Sequence, residues 1–216
     1  LKLADSYAYA PDIFQTTHCT FYRNVDGKRF EEISEESGIR GNGPVPLARS
    51  MAVAVFDCNE DGWPDISVAN DEAADFLFIN QQDGTFKDEA ADLGTALGNS
   101  GSVRAGMGMG WAYFGNDERL ALVVSNYSSQ DVGFYLRPDR DSPVYIDAAS
   151  MVGLGQPTRE VVMWGIFFFD MDLDGLQDLF IASGHVARGR ALFANHPYEQ
   201  ASVLLWNTGD HPEYIS

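Results

Sequence analysis

Two nine-residue stretches hold the side chains best suited to chemistry: Asp57-Cys58-Asn59-Glu60-Asp61-Gly62-Trp63-Pro64-Asp65 and Asp170-Met171-Asp172-Leu173-Asp174-Gly175-Leu176-Gln177-Asp178. In both, oxygen-bearing side chains stand at positions 1, 3, 5 and 9, and glycine stands at 6. Calcium wants about six to eight hard oxygen ligands in a flexible shell. Alternate residues of a tight loop can turn inward together, and the glycine allows the sharp bend that returns position 9. The expected side-chain ligands are Asp57, Asn59, Asp61 and Asp65 in one loop and Asp170, Asp172, Asp174 and Asp178 in the other. Position 7, Trp63 or Leu176, would add a backbone carbonyl. Without a cation these carboxylates repel one another; with one, the repulsion becomes affinity.

Two plainer readings compete. An acidic surface turn without metal is one, and the recurrence of four matching positions in two copies weighs against it. The other is an EF-hand, which needs a bidentate glutamate at position 12 and flanking helices. Position 12 is Val68 in one loop and Ile181 in the other, and the flanks read as strands. A third, related stretch, Phe114-Gly115-Asn116-Asp117-Glu118-Arg119-Leu120, is about two residues shorter and brings in Arg119. Two calcium ions are expected, and none in this middle loop.

Catalytic groups are sparse. His18, His185, His196 and His211 include no pair at metal-ligand spacing. Ser125 and Ser183 lack a nucleophile elbow. Gly106-Met107-Gly108-Met109-Gly110 leads into a strand with no Lys-Ser/Thr behind it, so phosphate cradling is not expected. Its small residues suit close packing of an inner strand. Trp63, Trp111, Trp164 and Trp206 read most simply as packing residues.

The elements that position the loops recur. Phe21-Tyr22-Arg23-Asn24 returns as Leu77-Phe78-Ile79-Asn80 and as Leu204-Leu205-Trp206-Asn207. Asp26-Gly27 and Asp83-Gly84 follow the first two as hairpin turns. Met51-Ala52-Val53-Ala54-Val55-Phe56-Asp57 matches Trp164-Gly165-Ile166-Phe167-Phe168-Phe169-Asp170, with Met109 to Phe114 between them. Short β-prone runs, Ile66–Ala69 and Leu179–Ala182, follow the acidic loops directly. About four strands fall in each unit, the layout of a β-propeller blade. The units are a remnant at about 15–39 and three more at about 47–94, 104–154 and 158–216, all in one domain over 1–216. Helical readings compete at Glu31–Ser37, Asp88–Leu97 and Val186–Asn195. The repeat demands strand and loop at the first two, while the third is an insertion that a short helix fits.

Composition narrows the partners. Of 216 residues, 14 are Lys or Arg and 32 are Asp or Glu, for a net charge of -18. Nucleic acid and anionic membrane surfaces are disfavoured, since both need a basic face. With 45% hydrophobic and 12% aromatic residues the chain is too apolar for a disordered acidic tail. Its most apolar run, Val161 to Phe169, falls short of a membrane span. Cys19 and Cys58 allow one disulfide at most, and two buried free thiols are favoured over a bridge.

Together, the acidic loops with Trp63-Pro64-Asp65 and Val68-Ala69-Asn70-Asp71, then Arg104-Ala105-Gly106-Met107-Gly108 and Ser183-Gly184-His185-Val186, resemble the FG-GAP/VCBS-type repeats of calcium-binding β-propellers. The closest resemblance is to ASPIC/UnbV-type proteins and the cartilage acidic proteins. It implies an all-β chain, a partial propeller of about three and a half four-stranded blades, in a secreted, cell-surface or periplasmic setting with calcium in the blade loops. The expected function is a non-catalytic binding, adhesion or scaffolding module, part of a larger assembly with a protein partner. The alternative is the propeller domain of a polysaccharide-active enzyme whose catalytic part lies elsewhere, with carbohydrate as a possible ligand. Both ends fall in mid-unit, so either further sequence or a second subunit is expected to cover the end faces.

Overall fold

The computed structural model describes residues 16–40, 48–115, 117–186, 197–210 and 214–215. A hairpin comes first, β1 (Tyr22–Val25) and β2 (Arg29–Glu32). Its Asp26-Gly27 turn takes φ of 57° and 68°, the left-handed pair this dipeptide favours. Three antiparallel meanders follow. The first runs β3 (Ser50–Phe56), β4 (Asp65–Ala73), β5 (Phe76–Asn80) and β6 (Phe86–Asp88), and β7 (Arg104–Ala105) pairs with the end of β4. The second is β8 (Gly108–Tyr113), β9 (Leu120–Ser125), β10 (Gly133–Leu136) and β11 (Ile146–Asp147). The third is β12 (Met163–Phe169), β13 (Asp178–Ser183), β14 (Val203–Asn207) and β15 (Tyr214–Ile215).

The period-2 pattern of the first strands decides how the sheets stack. Ala52 and Phe56 of β3 and Met109 and Trp111 of β8 border one buried cluster, with Phe56 and Trp111 stacked at 6.0 Å. On the other side of the second sheet, Ala121, Val123 and Phe134 meet Met163, Ile166, Leu179 and Ile181. Gly108 makes this second junction possible: a Cβ there would lie 2.3 Å from the Trp164 carbonyl oxygen. The glycine run thus serves close packing, as its composition suggests. Cys19 and Cys58 are free thiols.

The β-propeller does not form. The described strands make small separate sheets in a row, none of them closed into a ring. Both β3 and β12 pack on β8 and turn their other sides outward. Met51, Val53 and Val55 on the first sheet are 50–64% exposed, and Phe167, Leu204 and Trp206 on the third are 39–50% exposed. The physical reason is one of count: a ring needs four or more blades for its last to reach its first. Among the described residues, the outer side of the third sheet and the β3 edge of the first stay exposed, while Phe21 and Ile39 cover part of the first sheet at Val68, Phe78 and Phe86.

Elsewhere the helical alternatives resolve locally. Glu31–Ser37 is strand end and turn, while Asp88–Leu97 holds a strand end and one helical turn, α1 (Ala90–Leu93). Within the insertion, residues 187–195 lie outside the described residues.

One buried acid gives this core a pH dependence. Asp75, in the β4–β5 turn, is 7% exposed and accepts the Asn70 N–H at 2.7 Å. Burial pushes its carboxyl up to about 7, against the pull of that hydrogen bond and of Arg104. Arg104 is held by an ion pair to buried Asp147, and Tyr135 also faces the acid. A carboxyl raised above its unfolded value of 3.8 binds its proton more tightly when folded. Its contribution is therefore fully present at low pH and is lost as pH rises through about 7. Asp75→Asn should remove that loss. Chemical denaturation at pH 8 is expected to find the variant more stable by about 1–2 kcal/mol, with the gap closing near pH 4. An equal gap at both pH values would sink the assignment.

Candidate metal centre

The two acidic loops join the first and second strands of their sheets, β3 to β4 and β12 to β13. Both fold through the same six hydrogen bonds. The carboxylate at position 1 accepts two backbone N–H groups: Asp57 takes Asp61 and Gly62 at 3.0 and 2.8 Å, and Asp170 takes Asp174 and Gly175 at 3.1 and 3.0 Å. Position 3, Asn59 or Asp172, also accepts the position-5 N–H, at 3.1 and 3.4 Å. Position 5 accepts the N–H of position 7, Trp63 on Asp61 and Leu176 on Asp174, both at 2.8 Å. Glycine is needed at position 6, where Gly62 and Gly175 both have φ of 90°.

Position 9 closes the loop from inside. Asp65 and Asp178 are each 1% exposed. One oxygen of Asp65 takes the Cys58 N–H at 3.0 Å and the other the Asn80 N–H at 2.8 Å. Asp178 does the same with Met171 at 2.9 Å and Asn207 at 2.8 Å. These aspartates therefore pin the loop to the strand after next. The asparagines they hold end the recurring Leu77–Asn80 and Leu204–Asn207 phrases, whose repetition was visible in the sequence although their role was not.

What the loops can do follows from their oxygens. In the second loop one carboxylate oxygen from each of Asp170, Asp172 and Asp174 lies within 4.8 Å of the others. Asp178 stays outside that group. The first loop matches it with Asp57, Asn59 and Asp61, and Asn59 Nδ2 donates to Asp61 Oδ2 at 3.1 Å. Hydrogen bonds from Trp63, Gln82 and Asn59 hold the Asp61 carboxyl below the usual range, so it is ionised. An all-oxygen, anionic donor set fits a hard divalent cation; it is consistent with calcium without being specific to it. Asp170, Asp172 and Asp174 would hold the ion in one loop, and Asp57, Asn59 and Asp61 in the other. The ion would supply charge that cross-links the loop.

The middle loop is shorter, as its sequence suggests. Phe56 pairs with Asp65 and Phe169 with Asp178, whereas Tyr113 pairs with Leu120. These pairs enclose eight residues in each acidic loop and six in the middle one, which is therefore two residues shorter and brings Arg119 next to the closing pair. Arg119 binds Asp117 Oδ2 at 2.6 Å and lies over the Phe114 ring at 4.8 Å. Asn116 lies outside the described residues.

Each acidic loop is also tied to the second sheet. Buried Arg137 and Tyr145 both donate to the Cys58 carbonyl, the latter at 2.9 Å. Tyr113 donates to Glu60 at 2.8 Å. From the third sheet, Gln177 N–H and Asn207 Nδ2 reach the Phe114 carbonyl at 2.9 and 2.8 Å. Nothing in the repeat pattern marks Arg137 or Glu60.

Among the described residues the histidines gather no site. His185 is buried beside Tyr127, ring centroids 5.8 Å apart, His18 is exposed, and His196 and His211 lie outside the described residues. Buried Ser125 donates to the Trp164 carbonyl across the junction of the second and third sheets.

Compared with known families, residues 57–124 match an FG-GAP-like repeat. The match covers the first acidic loop and runs into β9, about a third of the chain. It supports a partial FG-GAP-like repeat; the wider resemblance to FG-GAP/VCBS propellers of the ASPIC/UnbV type is corrected by the open row of sheets. No curated protein matches the chain. No helix among the described residues is long and apolar enough to cross a membrane.

Proposed function

We propose that this chain is a non-catalytic binding module whose acidic loops take up calcium outside the cytoplasm and whose open third-sheet face docks a protein partner. The carrying observation is the convergence of Asp170, Asp172 and Asp174, with the same hydrogen-bond frame repeated around Asp57, Asn59 and Asp61. Extracellular modules bind calcium at about 10⁻⁴–10⁻³ M, and solvent-exposed loops with three side-chain donors each suit that weak range. That supports a periplasmic, cell-surface or secreted setting. The partner half rests on the outward side of the third sheet. Phe167 contacts Phe169 and Phe180 at 5.4 and 5.5 Å, forming an aromatic patch that borders Leu204, with Trp206 exposed further along the same strand. Contiguous apolar surface of this kind marks interaction sites.

Native mass spectrometry of the chain purified under calcium tests both halves. Two calcium ions per chain and a stably bound second polypeptide are the expected result. A metal-free monomer would overturn the proposal.

A further inference from the structure

Gln82 has no place in the nine-residue pattern, yet its side chain reaches the first loop. It lies in the turn between β5 and β6, and its Nε2 donates to Asp61 Oδ2 at 3.1 Å. Its backbone is left-handed, with φ of 63°, which is uncommon for a residue with a side chain.

The corresponding turn after β14 shows what the backbone alone would prefer. There Asn207 Oδ1 accepts the Gly209 N–H at 3.1 Å, just as Asn80 Oδ1 accepts the Gln82 N–H at 2.9 Å. Gly209 has φ of 69°. The third sheet thus places glycine where the turn demands a left-handed residue. The first sheet places glutamine in the same position and directs its amide at Asp61. The loops differ in a matching way, since position 3 is a carboxylate in Asp172 and a neutral amide in Asn59. The first loop, with three carboxylates at positions 1, 3, 5 and 9 against four in the second, receives the Gln82 amide from the neighbouring turn.

We propose that Gln82 is a positioning residue of the first cation site, fixing the Asp61 carboxylate from across the turn. The inference rests on the calcium reading above. A carboxylate held before the ion arrives loses less freedom on binding, and partners of this outer kind affect metal affinity by about 10–100-fold.

The test is Gln82→Gly, which removes the amide and gives the turn the residue its backbone favours. Calcium titration by calorimetry would be run in the Asp172→Ala/Asp174→Ala background, so that only the first loop binds. As a second measurement in the otherwise native chain, Trp63 fluorescence reports the first loop, with Trp63→Phe identifying its signal. The expected result is affinity at the first loop about tenfold weaker, with melting in chelator unchanged or raised. Unchanged affinity would overturn the role of Gln82 while leaving the calcium reading intact. Absence of calcium binding with Gln82 in place would overturn the calcium reading itself, and this inference with it.

Discussion

Adding a chelator to the calcium-loaded chain should lower its melting temperature by roughly 10 °C. The size follows from mass action. A ligand that binds only the folded state stabilises it by RT ln(1 + [L]/Kd). With Kd of about 10⁻⁴–10⁻³ M and roughly 10 mM calcium, each loop contributes about 1.4–2.7 kcal/mol, and two together about 3–5 kcal/mol. Electrostatics adds in the same direction. Two ions take the net charge from -18 to -14, and the Asp170, Asp172 and Asp174 oxygens lose their mutual repulsion. Asp172→Ala should give about half of the shift and leave the rest chelator-sensitive. Scanning calorimetry with and without chelator makes the comparison, and coincident curves for the native chain would refute it.

The loops were legible because their chemistry is written in side-chain type and spacing. Aspartates at alternate positions before a glycine admit few other uses, and the same frame forms around Asp57 and around Asp170. Strand rhythm was legible for the same local reason: Met51 to Phe56 and Trp164 to Phe169 match as a repeat, and both form the first strand of a sheet. Ring closure was not legible from that rhythm. Alternation tells that Val53 and Phe167 leave one side of their sheets, but only assembly decides whether another sheet stands there. Contributions across a turn were hidden too. Gln82 reaches Asp61 from 21 residues away, and Arg137 reaches the Cys58 carbonyl from 79. Neither distance leaves a periodic trace. Position 9 was legible as an oxygen donor but not as a clamp, because the N–H groups of Asn80 and Asn207 approach only after β5 and β14 have paired.

That clamp leads to the second large effect. Asp178→Ala should destabilise the chain by about 2–5 kcal/mol, and should do so in chelator as well as in calcium. The carboxylate is 1% exposed and accepts the Met171 and Asn207 N–H groups at 2.9 and 2.8 Å. Alanine leaves both donors without an acceptor, and each unsatisfied buried group costs about 1–3 kcal/mol. A residue acting only as a ligand behaves differently: Asp172→Ala should cost little once the ion has been removed. Asp178→Asn keeps the shape but offers one oxygen for two donors, so it should fall between wild type and alanine. Glu60→Ala gives the contrast in the first loop. It removes the hydrogen bond from Tyr113 at 2.8 Å but leaves the Asp65 clamp in place, so calcium affinity there should fall less than Asp178→Ala lowers it in the second loop. Denaturation curves of the four variants, each recorded in calcium and in chelator, separate clamp from ligand. If Asp178→Ala matches wild type in chelator, the buried aspartate serves the ion alone and not the fold.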